Sequence, residues 1–388
     1  MGERRYAIVA GGEINGLGVV RSLARAEIPT VVLDDDLRRP TMRTRHGRKR
    51  RIESLEGEAF LSALTALRRE FETDPVLFLT QEKSVATVSQ NYGQVAQFYR
   101  ISMPALSIMG TLMDKARFQA AAERLGAPIA RAVILAAETD LASARQLRYP
   151  CVLKPLVKSA AYDLRFKKAY KVEDYAAVEQ LFMDIKEYSD TILQEWIEGG
   201  DDAIYFCLQY RSREQEPVAS FVGRKLRSWP PHVGGTASCL PAPEVAAELE
   251  TLTNGFFSKI GFFGMGSMEF KRDGRTGQFF MIEPTVGRTD FQEEVATLNG
   301  INIPLAAYAY EAKCPIDGVA VPLRSAAWFV SPIDRWSRDL QPDKNVVVPA
   351  GTRRFDAVRR FDDPIPWIYS SLERLRERLH LLNGRQRG

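Results

Sequence analysis

Glu269 in MGSMEFKRD and Glu283 in GQFFMIEPT each close an apolar run that reads as a buried strand. The intervening RDGRTG has the turn chemistry of a hairpin, which lays the two strands side by side. Side chains alternate across a strand, so both carboxylates can leave the same face. Two carboxylates sharing one site repel, and a divalent cation removes that cost. Oxygen donors of this kind suit magnesium, which keeps several waters and bridges to phosphates. The plainer arrangement pairs each glutamate with a lysine or arginine on an exposed sheet face.

Basic residues stand in a matching pattern. Lys154 sits inside PCVLKP, where Val152 and Leu153 imply burial, and a strand-embedded lysine needs a counter-charge such as a phosphate oxygen. Lys115 opens the helix after LMD, either as a second phosphate ligand or as an ordinary solvated helix residue. In ILQEWIEGGDD an apolar strand runs into Gln194, Glu195, Trp196 and Ile197 and then a glycine pair, the makings of a hinge around a flat base. Asp201 or Asp202 would then accept from ribose hydroxyls; in isolation the segment is only a strand and an acidic turn. In VGRKLRSWPPHVGGTASCL, Lys225 and Arg227 share an alternating face, and GGTAS either wraps an anion through backbone amides or is a strand-and-loop connection.

MDKARF, CVLKP, LQEWIEGGDD, MEFKRD and MIEPTVGR resemble, in order and spacing, the nucleotide-binding motifs of the ATP-grasp superfamily, from about Leu112 to Tyr310. The chain is most similar there to carboxylate–amine ligases resembling D-aspartate ligase. The resemblance implies ATP and magnesium (one or two ions) as cofactors, and Lys115 and Lys154 as phosphate ligands. It implies an adenine hinge of Gln194, Glu195, Trp196 and Ile197 with backbone contacts from Glu195 and Ile197, and Asp201 or Asp202 at the ribose. It makes Glu269 and Glu283 metal ligands and Arg288 the group steadying the carboxylate and its acyl phosphate, with Lys154 around the phosphates. Lys225 and Arg227, from alternation and not from the resemblance, could reach the same place or lie on a solvated face. Two positions depart from the family pattern: Thr285 stands where asparagine usually supplies a metal ligand, and Arg288 lies one residue late. The lid loop KSAAYDLRFKKAYKV lacks the usual glycines, so its phosphate contacts are expected from Ser159 and Lys168.

The elements that must position these residues follow from periodicity. RYAIVAG, GEINGLG, VVRSLARAEI and TVVLD read as strand, turn, helix and strand, a βαβ unit that favours a parallel sheet. Asn15 and Gly16 would open its helix on the substrate side. Asp114 caps a helix with Phe118, Ala121, Ala122 and Leu125 on its apolar face, stopped by Gly126 and Pro128. The expected fold is therefore α/β and α+β: an N-terminal Rossmann-like domain (1–111), then a two-part ATP-grasp domain. Its parts are a lid (112–193) and a catalytic subdomain (194–345), followed by a basic tail (346–388) with an amphipathic helix in SSLERLRERLHLL.

A chain of 388 residues exceeds one ordinary core. Its net charge of +4 is small for that length and argues against a dedicated nucleic-acid binder. The dense basic run RRPTMRTRHGRKRR has no stacking aromatics and reads as a solvated loop. Four separated cysteines and only three histidines (His46, His232, His380) give neither zinc spacing nor a disulfide framework. With no secretory signal and no apolar stretch of spanning length, a cytoplasmic protein is expected. GGEINGLG is not the G-x-G-x-x-G fingerprint, though VVLDDD supplies acids after the second strand, so an NAD-dependent dehydrogenase is the rival from another class. A related ATP-grasp reaction with another nucleophile and a non-catalytic nucleotide or anion module complete the alternatives. The reading favoured is an ADP-forming ligase joining a carboxylate to an amine; a homodimer would be unsurprising by resemblance.

Overall fold

The computed structural model describes residues 4–157, 159–314, 325–342 and 346–372. Near the N-terminus β1 (Ala7–Ala10), β2 (Thr30–Asp34), β3 (Arg48–Arg51) and β4 (Val76–Leu79) pair in parallel in the order β3-β2-β1-β4. Ile8 and Ala10 of β1 enter one apolar core while Ala7 and Val9 enter another, so the strand is covered on both faces. This is why its four residues are uniformly apolar rather than alternating. The helix Ile14–Ala24 starts shortly after β1. Gly16 is required there, because a Cβ would stand 2.0 Å from the Gly11 carbonyl oxygen.

The middle of the chain builds a four-stranded antiparallel sheet from β5 (Ala132–Leu135), β6 (Cys151–Pro155), β7 (Tyr170–Val172) and β8 (Thr191–Glu195), ordered β5-β8-β6-β7. One face is apolar: Leu135, Cys151, Leu153 and Leu193 pack under Val178, Phe182 and Ile185 of the helix Tyr175–Ile185. Alternation sends Val152, Lys154, Ile192 and Gln194 to the opposite face.

The third sheet has seven strands: β9 (Ile204–Arg211), β10 (Pro217–Trp229), β11 (Gly235–Pro241), β12 (Gly264–Arg272), β13 (Phe279–Val286), β14 (Ala326–Phe329) and β15 (Arg353–Asp356). Their order is β13-β12-β9-β10-β11-β14-β15, antiparallel except for β14 and β15. Met268 and Phe270 of β12 point into the core that takes Ile8 and Ala10, and Met265 into the core that takes Ala7 and Val9. The Met265 face continues along β12 as Ser267, Glu269 and Lys271.

Several expectations are corrected. The basic run at 38–51 is not simply a loop: it ends in β3, an edge strand whose Arg48 and Arg50 both reach Glu70. Charge on an edge discourages further pairing, which explains arginines in a strand. GGTAS does not wrap an anion, because Gly235–Pro241 is β11 and pairs with β10. The segment beyond 346 is not merely a tail, since β15 joins the large sheet and Ala357 and Asp363 dock on the first helix. Most of the amphipathic helix expected in SSLERLRERLHLL lies outside the described residues.

Candidate active site

The hairpin of β12 and β13 pairs Glu269 directly with Glu283, so both carboxylates leave one face. Phe270 pairs with Met281, leaving Ile282 as a bulge beside Glu283, a feature that re-aims side chains at functional sites. Glu283 is exposed, and its carboxylate makes no ion pair or hydrogen bond among the described residues. Glu269 does have a partner: the buried Lys225 ammonium lies 2.6 Å from its Oε2. Thr285, half-buried, shares the Glu283 face and stands opposite Ser267.

Lys154 comes to this site from the four-stranded sheet. Burial holds its ammonium below the usual lysine range, and Glu283 is the largest influence pulling it back up, followed at lower strength by repulsion from Lys168 and Lys115 and attraction from Glu269. Lys154, on the face of the middle sheet opposite its apolar core, is thus within electrostatic reach of the carboxylates of the large sheet. Lys154 Nζ also stands 3.5 Å from Gln194 Oε1, and Gln194 Nε2 donates to Gln119 Oε1 at 3.1 Å. Lys115 donates to the carbonyls of Pro155 (2.9 Å) and Leu156 (3.3 Å), which pins the end of β6. Ser159 Oγ accepts from the Tyr162 amide at 3.1 Å, and Lys168 is exposed.

The hinge segment is fixed on one side and open on the other. The Glu195 amide donates to the Arg131 carbonyl at 2.9 Å and the Trp196 amide to the Pro150 carbonyl at 3.0 Å, whereas Ile197 makes no hydrogen bond among the described residues. The Glu195 carboxylate accepts from the Arg148 amide at 3.0 Å. Gly274 in the β12–β13 turn donates to the Glu198 carbonyl at 2.9 Å, tying the hinge to the hairpin.

Between the two candidate ribose partners the structure separates roles. Asp201 is fully buried and accepts from the amides of Ser228 (3.1 Å) and His232 (2.8 Å) and from Gln341 (3.3 Å), so its carboxylate braces β10 and the turn after it. Asp201 is thus engaged within the fold, whereas Asp202 is exposed. Arg227 is likewise committed, at 3.1 Å from Asp334. Arg288 is half-buried, donates to the Thr289 carbonyl at 3.2 Å and has no ion pair among the described residues.

Three residues near these side chains escaped the sequence reading. Lys271 follows Glu269 on the same face of β12, a position that strand alternation alone would have supplied; burial pushes its ammonium down to about 8. Asp290 accepts from Ser267 Oγ at 3.0 Å, and Glu293 is buried with Oε1 unpartnered. Burial first, and then the Asp290 charge, push the Glu293 carboxyl up to about 8. TDFQEE has no periodicity that would have marked either residue.

Among the described residues no three His, Cys, Asp or Glu side chains converge as a metal cage. Two carboxylates and a hydroxyl on one face nevertheless fit magnesium, an ion that takes few protein ligands and leans on water and phosphate. The dinucleotide arrangement fits worse. Asp34, the acid at the end of β2, is fully buried and accepts from the amides of Gly12 (2.5 Å) and Asp36 (2.8 Å), so it holds the glycine turn itself.

No family model matches the chain, and no curated protein matches it in sequence. Solved structures do match its fold. N5-carboxyaminoimidazole synthetase from Staphylococcus aureus, complexed with ADP, is similar with a TM-score of 0.64 at 15% identity, over 83% of this chain and 81% of that one. A biotin carboxylase–β,γ-ATP complex from Campylobacter jejuni gives 0.63 at 15% identity, over 83% and 74%. The biotin carboxylase domain dimer of Hydrogenobacter thermophilus 2-oxoglutarate carboxylase, with MgADP and bicarbonate, gives 0.61 at 15%, over 81% and 70%. The chain shares the fold of these nucleotide-bound synthetases and carboxylases.

Proposed function

We propose that the protein is an ATP-dependent ligase that activates a carboxylate as an acyl phosphate and passes it to an amine, releasing ADP and phosphate. The observation that supports this most is the Glu269–Glu283 rung with Lys154 of the middle sheet in electrostatic reach of it. In this reading the four-stranded sheet is a lid and the seven-stranded sheet the catalytic floor. Ile197 offers free backbone groups to the base, and Asp202 serves the ribose. Lys154 and Lys168 neutralise phosphate oxygens from the lid, while Lys115 holds the end of β6 in place beside them. Glu269, Glu283 and Thr285 would hold magnesium, which when bound neutralises phosphate charge.

The substrate carboxylate attacks the γ-phosphorus in line, forming a C–O–P linkage as the bond to the ADP oxygen breaks. Lys225 lies beside Glu269 and is placed to balance charge on the transferred group. The half-buried Arg288 orients the substrate carboxylate. Arg227, held by Asp334, positions the strand that carries Lys225. The amine then attacks the acyl carbon, the C–N bond forms and phosphate leaves. Lid closure should exclude water, since a solvated acyl phosphate would hydrolyse.

The test is an ADP-release screen over carboxylate and amine pairs, with mass detection of the amide and hydroxylamine added to trap the acyl phosphate as hydroxamate. Glu283→Gln should lower turnover by about 100-fold or more, as expected for loss of a charged group acting at the transferred phosphate, while leaving the thermal melt unchanged. A variant with normal magnesium-dependent turnover would sink the assignment. The structural likeness to a carboxylase domain that holds bicarbonate supports a second reading, in which bicarbonate is the activated carboxylate. Bicarbonate-dependent ADP release without any added organic acid would favour it.

A further inference from the structure

Lys271 is 7% exposed, yet its ammonium has no hydrogen bond or ion pair among the described residues. A buried cation without an acceptor is costly, and an aromatic face offsets only part of that cost. The face in question is Trp196, whose ring centre lies 4.1 Å from Lys271 Nζ. The lysine stem runs beside the hinge glycines: a Cβ added to Gly199 would stand 3.7 Å from Lys271 Cε. The charged groups around it are Glu198 and Asp201, which attract it, and Lys154 and Lys171, which repel it. Neither carboxylate reaches ion-pair distance, and Asp201 is already engaged by Ser228, His232 and Gln341.

Along one face of β12, Lys271 is two residues from Glu269, about 7 Å at the usual strand rise, and it lies on the hinge side. It is therefore displaced from the carboxylates towards Trp196, where the base would enter. We propose that Lys271 is a base-contacting residue whose ammonium donates to a ring nitrogen of the bound purine, with the Trp196 ring fixing its aim. This rests on the ATP reading given above.

The test measures binding rather than turnover. Dissociation constants for ADP, 2′,3′-dideoxy-ADP and tripolyphosphate are determined without magnesium by calorimetry, for the parent protein, Lys271→Met and Lys271→Gln. A hydrogen bond from a charged donor predicts a loss of about 10- to 100-fold for ADP in both variants. The same loss should appear with dideoxy-ADP, and tripolyphosphate should bind unchanged. Disappearance of the loss with dideoxy-ADP would move the contact to the ribose and overturn the proposal. An equal loss with tripolyphosphate would move it to the phosphates, and unchanged ADP affinity would reduce Lys271 to packing beside the hinge. If Lys271→Met does not fold, Lys271→Gln carries the comparison. Failure of the parent protein to bind ADP at all would instead overturn the nucleotide reading itself.

Discussion

Glu293 shows how one buried side chain makes stability depend on pH. Its carboxyl is pushed up to about 8 by burial and then by Asp290, against an ordinary value of 4.5. Between those values the folded chain keeps a proton that the unfolded chain has released, so stability falls as pH rises through the window. Glu293→Gln removes that slope. The melting temperature of the variant should therefore gain on the parent between about pH 5 and about pH 8.5; parallel curves would refute the assignment. At this scale the sequence was informative where chemistry coincided with strand periodicity. Glu269, Glu283 and Lys154 stood out because a charge inside an apolar run is expensive. Asp201 and Asp202 could not be told apart, because adjacent acids in a turn differ only in what folds over them.

At the scale of elements, local signals carried further. Asp114 caps the helix Lys115–Arg124 by accepting from the Arg117 amide at 2.9 Å, as its position before an amphipathic run implied. Asp114→Ala should cost about 1 kcal/mol, read from the denaturant midpoint of unfolding. An unchanged midpoint would mean that tertiary contacts hold the helix start. The hairpin was equally readable, since a glycine-rich turn between apolar runs leaves few alternatives. β3 was not, because four consecutive basic residues carry no strand signal. They form a strand because β2 offers a free edge and Glu70 supplies counter-charge.

Across the whole molecule, a buried ionic latch joins the two ends of the described chain. Arg21 in the first helix is 3.0 Å from Asp363, while Arg360 is 2.9 Å from Glu294. Burial works against an ionised Asp363, yet hydrogen bonds from Thr44 and the Arg45 amide together with Arg21 hold its carboxyl below the usual range. Asp363→Ala leaves the Arg21 charge buried without that partner and should cost about 3–5 kcal/mol, measured by equilibrium unfolding. A loss below about 1 kcal/mol would place the pair among those worth little.

By itself the sequence determined the strands and helices with strong periodicity, the hairpin that pairs two carboxylates, and the order of the motifs that resemble nucleotide-binding ones. These are properties of short stretches, set by side-chain alternation, capping and turn chemistry. The tertiary structure alone decided that Lys225 lies on Glu269, that Asp201 is spent on a turn, and that Lys271 meets Trp196. The first two contacts depend on strand order and on what folds over β10 in the seven-stranded sheet, and the third on how the middle sheet meets the large one; no local pattern encodes either.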